Sequence, residues 1–381
     1  MITLRGITWQ HRRAVDPLQA TLKDFVDSRP DITVEWATRP LAGFEFQPVD
    51  ELARRYDLII FDHPFVGQIA ARRCLAPLDD VVAGAERCFV GPSLATYRYG
   101  GAIWGLPVDA ACQVAVARPD LMARLDRESP ATWPETWDQV LSLGEQAGRA
   151  GLKLAIGLEG VHSLMTFFTL MAGLGEPCAV EPGLPFCDRA AARRALGLLR
   201  ALVRLCPPEV FSWSSIGLHE AMAAADDLVY CPAVYCYATY AEADRRRPLR
   251  FHDLPGVADR SPAGSTIGGT GLGVSASCPH PEAAFAYARF LMAPSAQAAF
   301  ARHHGQPARV ECWDDPTIDA RFGGCFSATR ATLDLCWTRP RYAGYLTFQA
   351  KAGPLVERHL RGDLTETVLL DQLQALHAAG T

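Results

Sequence analysis

Hydrophobic positions in the first hundred residues follow two alternating periods. Ile2 to Thr8 predicts a strand. Asp16-Pro17 then predicts the opening of a helix with Leu18, Leu22 and Phe25 on one face, at the spacing a 3.6-residue turn requires. Ile32 to Trp36 predicts a second short strand, and Asp57-Leu58-Ile59-Ile60-Phe61 a third. The third is apolar without alternation, which suits a strand covered by helices on both faces. A helix from about Pro64 to Arg73 follows. Strand–helix–strand order of this kind calls for a parallel α/β sheet with right-handed crossovers.

A second α/β region begins near Asp109. Thr136-Trp137 opens a helix, and Leu154 to Gly157 reads as a short strand. Leu164, Phe167, Phe168 and Met171 form a core-facing helical stripe. Residues 188–205 predict a long helix, and Leu228-Val229-Tyr230 a strand leading into Tyr235, Tyr237 and Tyr240. From Ala241 to Gly264 the chain is polar and loop-like. Order returns with the glycine-rich strand Ile267 to Ser275 and a helix opened by Pro281 whose Ala284, Ala288 and Leu291 share a face. The last helix spans about Leu364 to His377, with Asp363 and Glu366 spaced as a capping box.

Composition narrows the class. A chain of 381 residues suggests two lobes, and 49% hydrophobic with 21% charged residues is ordinary globular make-up. The formal net charge of -5 counts against a nucleic-acid binder. Met1 to Trp9 lacks the basic and apolar regions of a signal peptide, and no stretch has the length of a membrane helix. The 12 cysteines are scattered without a CxxC pair. Both features predict a soluble chain with reduced thiols in the cytoplasm.

Most catalytic templates fail. His219-Glu220 resembles the start of a zincin helix, but Ala223 stands where the second His belongs. His303 and His304 are adjacent and point to different helix faces. Gly268 to Gly273 lacks the dinucleotide spacing and is followed by more strand, which leaves close backbone packing and close approach to a ligand both open. Arg245 to Arg247 reads as a solvated loop. Polar and aromatic residues do collect just beyond the predicted strands: Trp9, Gln10 and His11, then Thr38 and Arg39, then Asp62, His63 and Phe65. In an open parallel sheet those ends line the ligand crevice. Aromatic faces suit the C–H faces of sugars, while Asp, His and Arg suit hydroxyls or anions. Trp36 and Trp104 read as core, Trp9 as ligand-facing.

Several segments carry a resemblance in a fixed order. They are Tyr56 to Asp62 with Leu75-Ala76-Pro77-Leu78-Asp79, then Tyr99 to Asp109 with Arg118-Pro119-Asp120-Leu121, and Trp133-Pro134-Glu135-Thr136-Trp137-Asp138. Gly268 to Ser277 with Pro281-Glu282-Ala283-Ala284-Phe285, Gly305-Gln306-Pro307-Ala308-Arg309 and Arg339-Pro340-Arg341-Tyr342 complete the set. Together they are similar to the family 1 extracellular solute-binding proteins, the sugar-type receptors of bacterial ABC importers. The resemblance implies a two-lobed α/β periplasmic-binding-protein-like fold of type II, with the ligand cleft between the lobes and hinge closure on binding. One lobe would hold 1–109 and 266–312, the other 110–265 and 313–381. It also implies ligand-facing roles for Trp9, His11, Asp62, His63 and Asp109, for His162, Tyr235 and Tyr237, and for Gly269, Thr270 and Arg309.

The resemblance implies non-catalytic binding of a small polar solute (a sugar, polyol or small organic acid) by a monomer working with ABC permease subunits. Neither cofactor nor metal is implied. The chain departs from the family pattern in its cysteine content, with Cys112, Cys231 and Cys236 near expected hinge or cleft positions. The location follows as cytoplasmic as written, or periplasmic if the natural chain begins further upstream. Two alternatives remain: a cleft enzyme using Asp62, His63 or His162 as acid or base, and a cytoplasmic ligand sensor.

Overall fold

A computed structural model describes residues 1–125, 133–257 and 263–380. Its principal elements begin with β1 (Ile2–Trp9), α1 (Arg12–Ser28), β2 (Ile32–Arg39), β3 (Leu58–Phe61), α2 (Val66–Arg72) and β4 (Leu106–Ala117). Next come α3 (Trp137–Arg149), β5 (Lys153–Leu154), α4 (Val161–Gly173), α5 (Arg189–Val203), α6 (Ser215–Ala224), β6 (Leu228–Tyr235) and β7 (Arg250–His252). The chain closes with β8 (Ile267–Val274), α7 (Pro281–Met292), α8 (Pro294–Arg302), α9 (Tyr345–Arg361) and α10 (Glu366–Ala379).

These elements fall into two compact units. The first comprises Met1–Ala111, Gly268–Ile318 and Arg341–Leu346, the second Cys112–Ile267, Asp319–Pro340 and Thr347–Thr381. In the first unit β2, β1 and β3 are parallel, and β8 runs antiparallel beside β3. All four residues of β3 are buried, as its unbroken apolar run requires. The ladder pairs Trp9 with Arg39 and Ile7 with Ile59, so β1, β2 and β3 end along one carboxyl edge. Trp9 therefore closes β1; it does not sit in the turn beyond it. Helix α1 starts at Arg12, before Asp16-Pro17, because the His11 side chain accepts from the Arg13 N–H at 3.1 Å and caps it. Residues 110–111, 313–318 and 341–346 belong to this unit and 266–267 to the second, although the resemblance placed 110–265 and 313–381 in the second and 266–312 in the first. The Arg341 guanidinium donates to the carbonyls of Ala95, Thr96 and Arg98 at 2.8–3.0 Å, and Gly67 admits the Arg341 carbonyl where any Cβ would clash.

In the second unit β6 is antiparallel to β4, β7 is antiparallel to β4, and β5 is parallel to β6. Strand β6 extends past Tyr230 to Tyr235, and the expected strand at Leu154 to Gly157 is reduced to β5. The stretch expected as loop carries β7, while its residues 258–262 lie outside the described residues. Helix α3 opens on a true capping box of Thr136 and Gln139. At α10 the cap is Thr365, which accepts from the Val368 N–H, not the expected Asp363. Arg118 is fully buried because its guanidinium donates at 2.6 Å to the Met222 and Ala225 carbonyls at the end of α6 and grips Asp120. A cation there matches the negative end of the helix.

Candidate functional site

Three of the first unit's candidate residues, Trp9, Asp109 and Thr270, meet at one buried ion pair. Arg13 Nε donates to Asp109 Oδ2 at 2.7 Å and its Nη2 donates to Oδ1, with both side chains 4% exposed. Arg13 lies in the first turn of α1, where the helix dipole disfavours a cation, so it needs the counter-charge of Asp109. Burial pushes the Asp109 carboxyl up, against the downward pull of Arg13. Thr8, Trp9 and Thr270 share with this pair a cavity of about 10 Å³. That is room for roughly one water and far too little for a sugar ring. Thr8 Oγ1, Trp9 Nε1 and Thr270 Oγ1 are buried around it with no hydrogen-bond partner among the described residues. The group is a polar floor, not a pocket for a solute.

Around this floor the strand ends are held by short-range bonds. Trp9 packs on Phe44 at 5.1 Å between ring centroids. Arg39 lies over the same Phe44 and donates to the carbonyls of Gly43 and Ile60, and its burial pulls it down to about 10. Asp62 Oδ1 accepts from the His63 N–H at 2.8 Å and lies 3.0 Å from His63 Nδ1, with His63 fully buried beside Tyr97. His11 is tied to the Arg13 amide as helix cap. Gly269 has φ +96 and brings its Cα side so close to Asp109 that a Cβ would lie 2.4 Å from the Asp109 carbonyl oxygen. Gly271 and Gly273 are likewise filled by Tyr97, Leu75 and Phe61. Of the two readings left open for this strand, packing is the one these contacts supply. Arg309 stands apart from the floor: it donates to the Met292 carbonyl at 3.0 Å and holds Glu311 with two bonds.

The second unit's candidates rest on uncharged partners. His162, on the first turn of α4, has Nδ1 3.4 Å from Ser215 Oγ. Burial, with Arg339 adding to it, pulls His162 down to about 4, so its ring is neutral at pH 7. The Tyr235 hydroxyl donates to Thr266 Oγ1 at 3.2 Å, Thr266 bonds Thr169 at 2.9 Å, and Gln113 donates to Thr166 at 3.4 Å. Tyr237 is buried against His219. Arg245 and Arg247, read as solvated, are engaged: Arg245 covers the Tyr240 ring and Arg247 binds the Ala224 carbonyl and Asp226.

Sequence reasoning missed Arg13, Thr8, Gln113 and Thr266. Arg13 left no signal while the helix was expected to open at Asp16; only the start at Arg12 puts a cation in the first turn, where it is out of place without a carboxylate. The two threonines and Gln113 left none, because short polar residues in strands are common on surfaces.

A family model described as bacterial extracellular solute-binding protein matches residues 53–320, well over half of the chain. Among solved structures, the maltose-bound MalE3 of T. maritima aligns with TM-score 0.84 at 18% identity, covering 99% of this chain and 100% of that one. A solute-binding protein of Thermotoga lettingae with bound α-D-tagatose gives TM-score 0.83 at 17% identity, covering 100% of both chains. One from Agrobacterium radiobacter in complex with ribitol gives 0.78 at 17%, covering 99% and 98%. The chain has the same two-lobed α/β fold.

Proposed function

This chain belongs to the bacterial extracellular solute-binding proteins, and on that premise we propose that it binds a small polar solute, a sugar or a polyol, and releases it unchanged. One observation carries the reading beyond the family. Three parallel strands end together at Trp9, Arg39 and Phe61-Asp62, and the carboxyl edge of such a sheet is where open α/β folds receive their ligands. The similar proteins named above hold maltose, tagatose and ribitol, all hydroxyl-rich and uncharged. His11 and Asp62, both partly exposed beyond the strand ends of the first unit, are assigned to the solute. His63, whose N–H donates to Asp62, is assigned to holding it in place, and Trp9, Asp109, Gly269 and Thr270 to the floor beneath the strand ends.

Binding is favoured over acid–base chemistry because burial pulls His162 down to about 4, which leaves it a weak base near pH 7. We assign the chain the role of the capturing component of an ABC importer, acting as a monomer outside the cytoplasm as the family's description has it. Among the described residues no helix is long and apolar enough to cross a membrane. The test is thermal shift against sugars, polyols, organic acids and phosphate esters. A solute at about a hundred times its Kd should add roughly 2.7 kcal/mol of stability, a shift of several degrees. A response confined to phosphate esters or organic acids, or none at all, overturns the sugar or polyol assignment.

A further inference from the structure

The segment joining α4 to α5 carries two of the thiols, Cys178 and Cys187, and folds back on itself. The Ala179 N–H donates to the Phe186 carbonyl at 2.8 Å, which places Cys178 and Cys187 opposite one another at the open end of the turn. Residues directly opposite one another across such a turn stand at about the separation a disulfide spans. The turn is also anchored. Phe186 is 1% exposed and packs on Phe167, Phe168, Phe348 and His377, and its N–H donates to Gln374 at 2.8 Å. The backbone next to Cys187 is therefore held in place.

We propose that Cys178 and Cys187 are a dithiol–disulfide couple, a modification site that closes by exchange with a disulfide of the surrounding solution. The two thiols differ in the way exchange requires. Cys178 is buried, 3% exposed, and its burial favours the thiol form. Cys187 is half-buried, and the hydrogen bond from Cys178, aided by Arg189, lowers it toward the thiolate. Cys187 is thus the attacking group. Its thiolate breaks the S–S bond of a small-molecule disulfide such as glutathione disulfide, forming a mixed disulfide and releasing one glutathione thiolate, which takes a proton from water. Cys178 then loses its proton and attacks the Cys187 sulfur, releasing the second glutathione. Two protein thiols are oxidised and one external disulfide is reduced to two thiols. A second close pair supplies an internal comparison: Cys236 and Cys325 lie 3.4 Å apart between sulfurs, but both are 3% exposed or less. Contact without access leaves that pair slow in the folded chain.

The couple is tested on the native, full-length protein incubated with glutathione disulfide, alkylated, then denatured and digested with chymotrypsin. Phe186 lies between Cys178 and Cys187, so cleavage after it leaves a disulfide as two peptides that stay joined until reductant is added. The expected result is that joined species, a chain lighter by two hydrogens, and a rise of a few degrees in Tm from the closed loop. Cys187→Ser and Cys178→Ser each abolish the joined species, while Cys236→Ser leaves it. Timed alkylation with a maleimide should modify Cys187 before Cys236 or Cys325. The proposal is overturned if no 178–187 link forms, if Cys236 and Cys325 close first, or if the link appears only after unfolding in denaturant. This outcome is independent of whether any solute binds.

Discussion

The two units hold their candidate residues by different means. In the first, buried charge meets buried charge in the pair Arg13 and Asp109, whereas Arg309, away from that pair, holds the exposed Glu311. In the second, the corresponding residues lean on neutral partners, with His162 beside Ser215 and Tyr235 on the Thr266–Thr169 hydroxyls. The contrast matters for substitution. Removing one member of a buried ion pair strands a charge, whereas removing one neutral hydrogen-bonding group loses only a modest bond. The first unit should therefore be brittle where the second is forgiving.

The largest effect is expected at the ion pair. Arg13→Ala should destabilise the protein by about 3–5 kcal/mol in equilibrium urea unfolding, while the double change Arg13→Met with Asp109→Leu should recover most of it. If the double variant is as damaged as the single one, the pairing argument fails. Next comes pH. His162 titrates at about 4 in the folded chain against 6.5 as the reference. Its folded value is depressed, so between those values the unfolded chain binds the extra proton, and stability falls as pH drops from about 6.5 to about 4. The loss amounts to about 3 kcal/mol at most. His162→Gln should flatten that part of the Tm-against-pH curve relative to the native chain, and identical slopes would contradict the assignment.

A smaller loss should follow Gly269→Ala, because the backbone there is left-handed and a Cβ meets the Asp109 carbonyl. About 2 kcal/mol is expected from strain of this kind, and an unchanged unfolding midpoint would show that β8 shifts without cost. Tyr235→Phe should be mildest, about 1 kcal/mol for one neutral hydrogen bond. A cost equal to that of Arg13→Ala would erase the distinction between the units.

Much of the fold was legible in the sequence because local patterns and global packing agree there. Leu58 to Phe61 has no polar position, and it became a strand buried on both faces. Thr136-Trp137 reads as a helix opening, and the helix starts there. The failures have physical causes. Asp109 and Gln113 break the apolar run of β4, which hides a twelve-residue strand until their buried partners are seen. Pro354 interrupts the periodicity of α9. Asp363 and Thr365 both suit a helix cap, and only backbone geometry decides between them. The strand-end rule put Trp9 and His11 at the end of β1 and Asp62 and His63 at the end of β3, where the structure has them. It did not give the bonds between distant positions. Arg13 and Asp109 are 96 residues apart, and nothing in either neighbourhood names the other. Cys178 and Cys187 show the same limit at short range, since their spacing matches no redox motif and only the fold of the turn makes them face.

The central claim, reversible capture of a polar solute, is tested most directly by equilibrium dialysis of the native chain against the sugar or polyol that gives the largest thermal shift. NMR of the recovered solute completes the measurement. The account predicts saturable uptake of one equivalent, the solute recovered intact, and affinity at least tenfold weaker in Asp62→Ala at unchanged fold. Uptake of nothing, or recovery of a chemically altered solute, would contradict it.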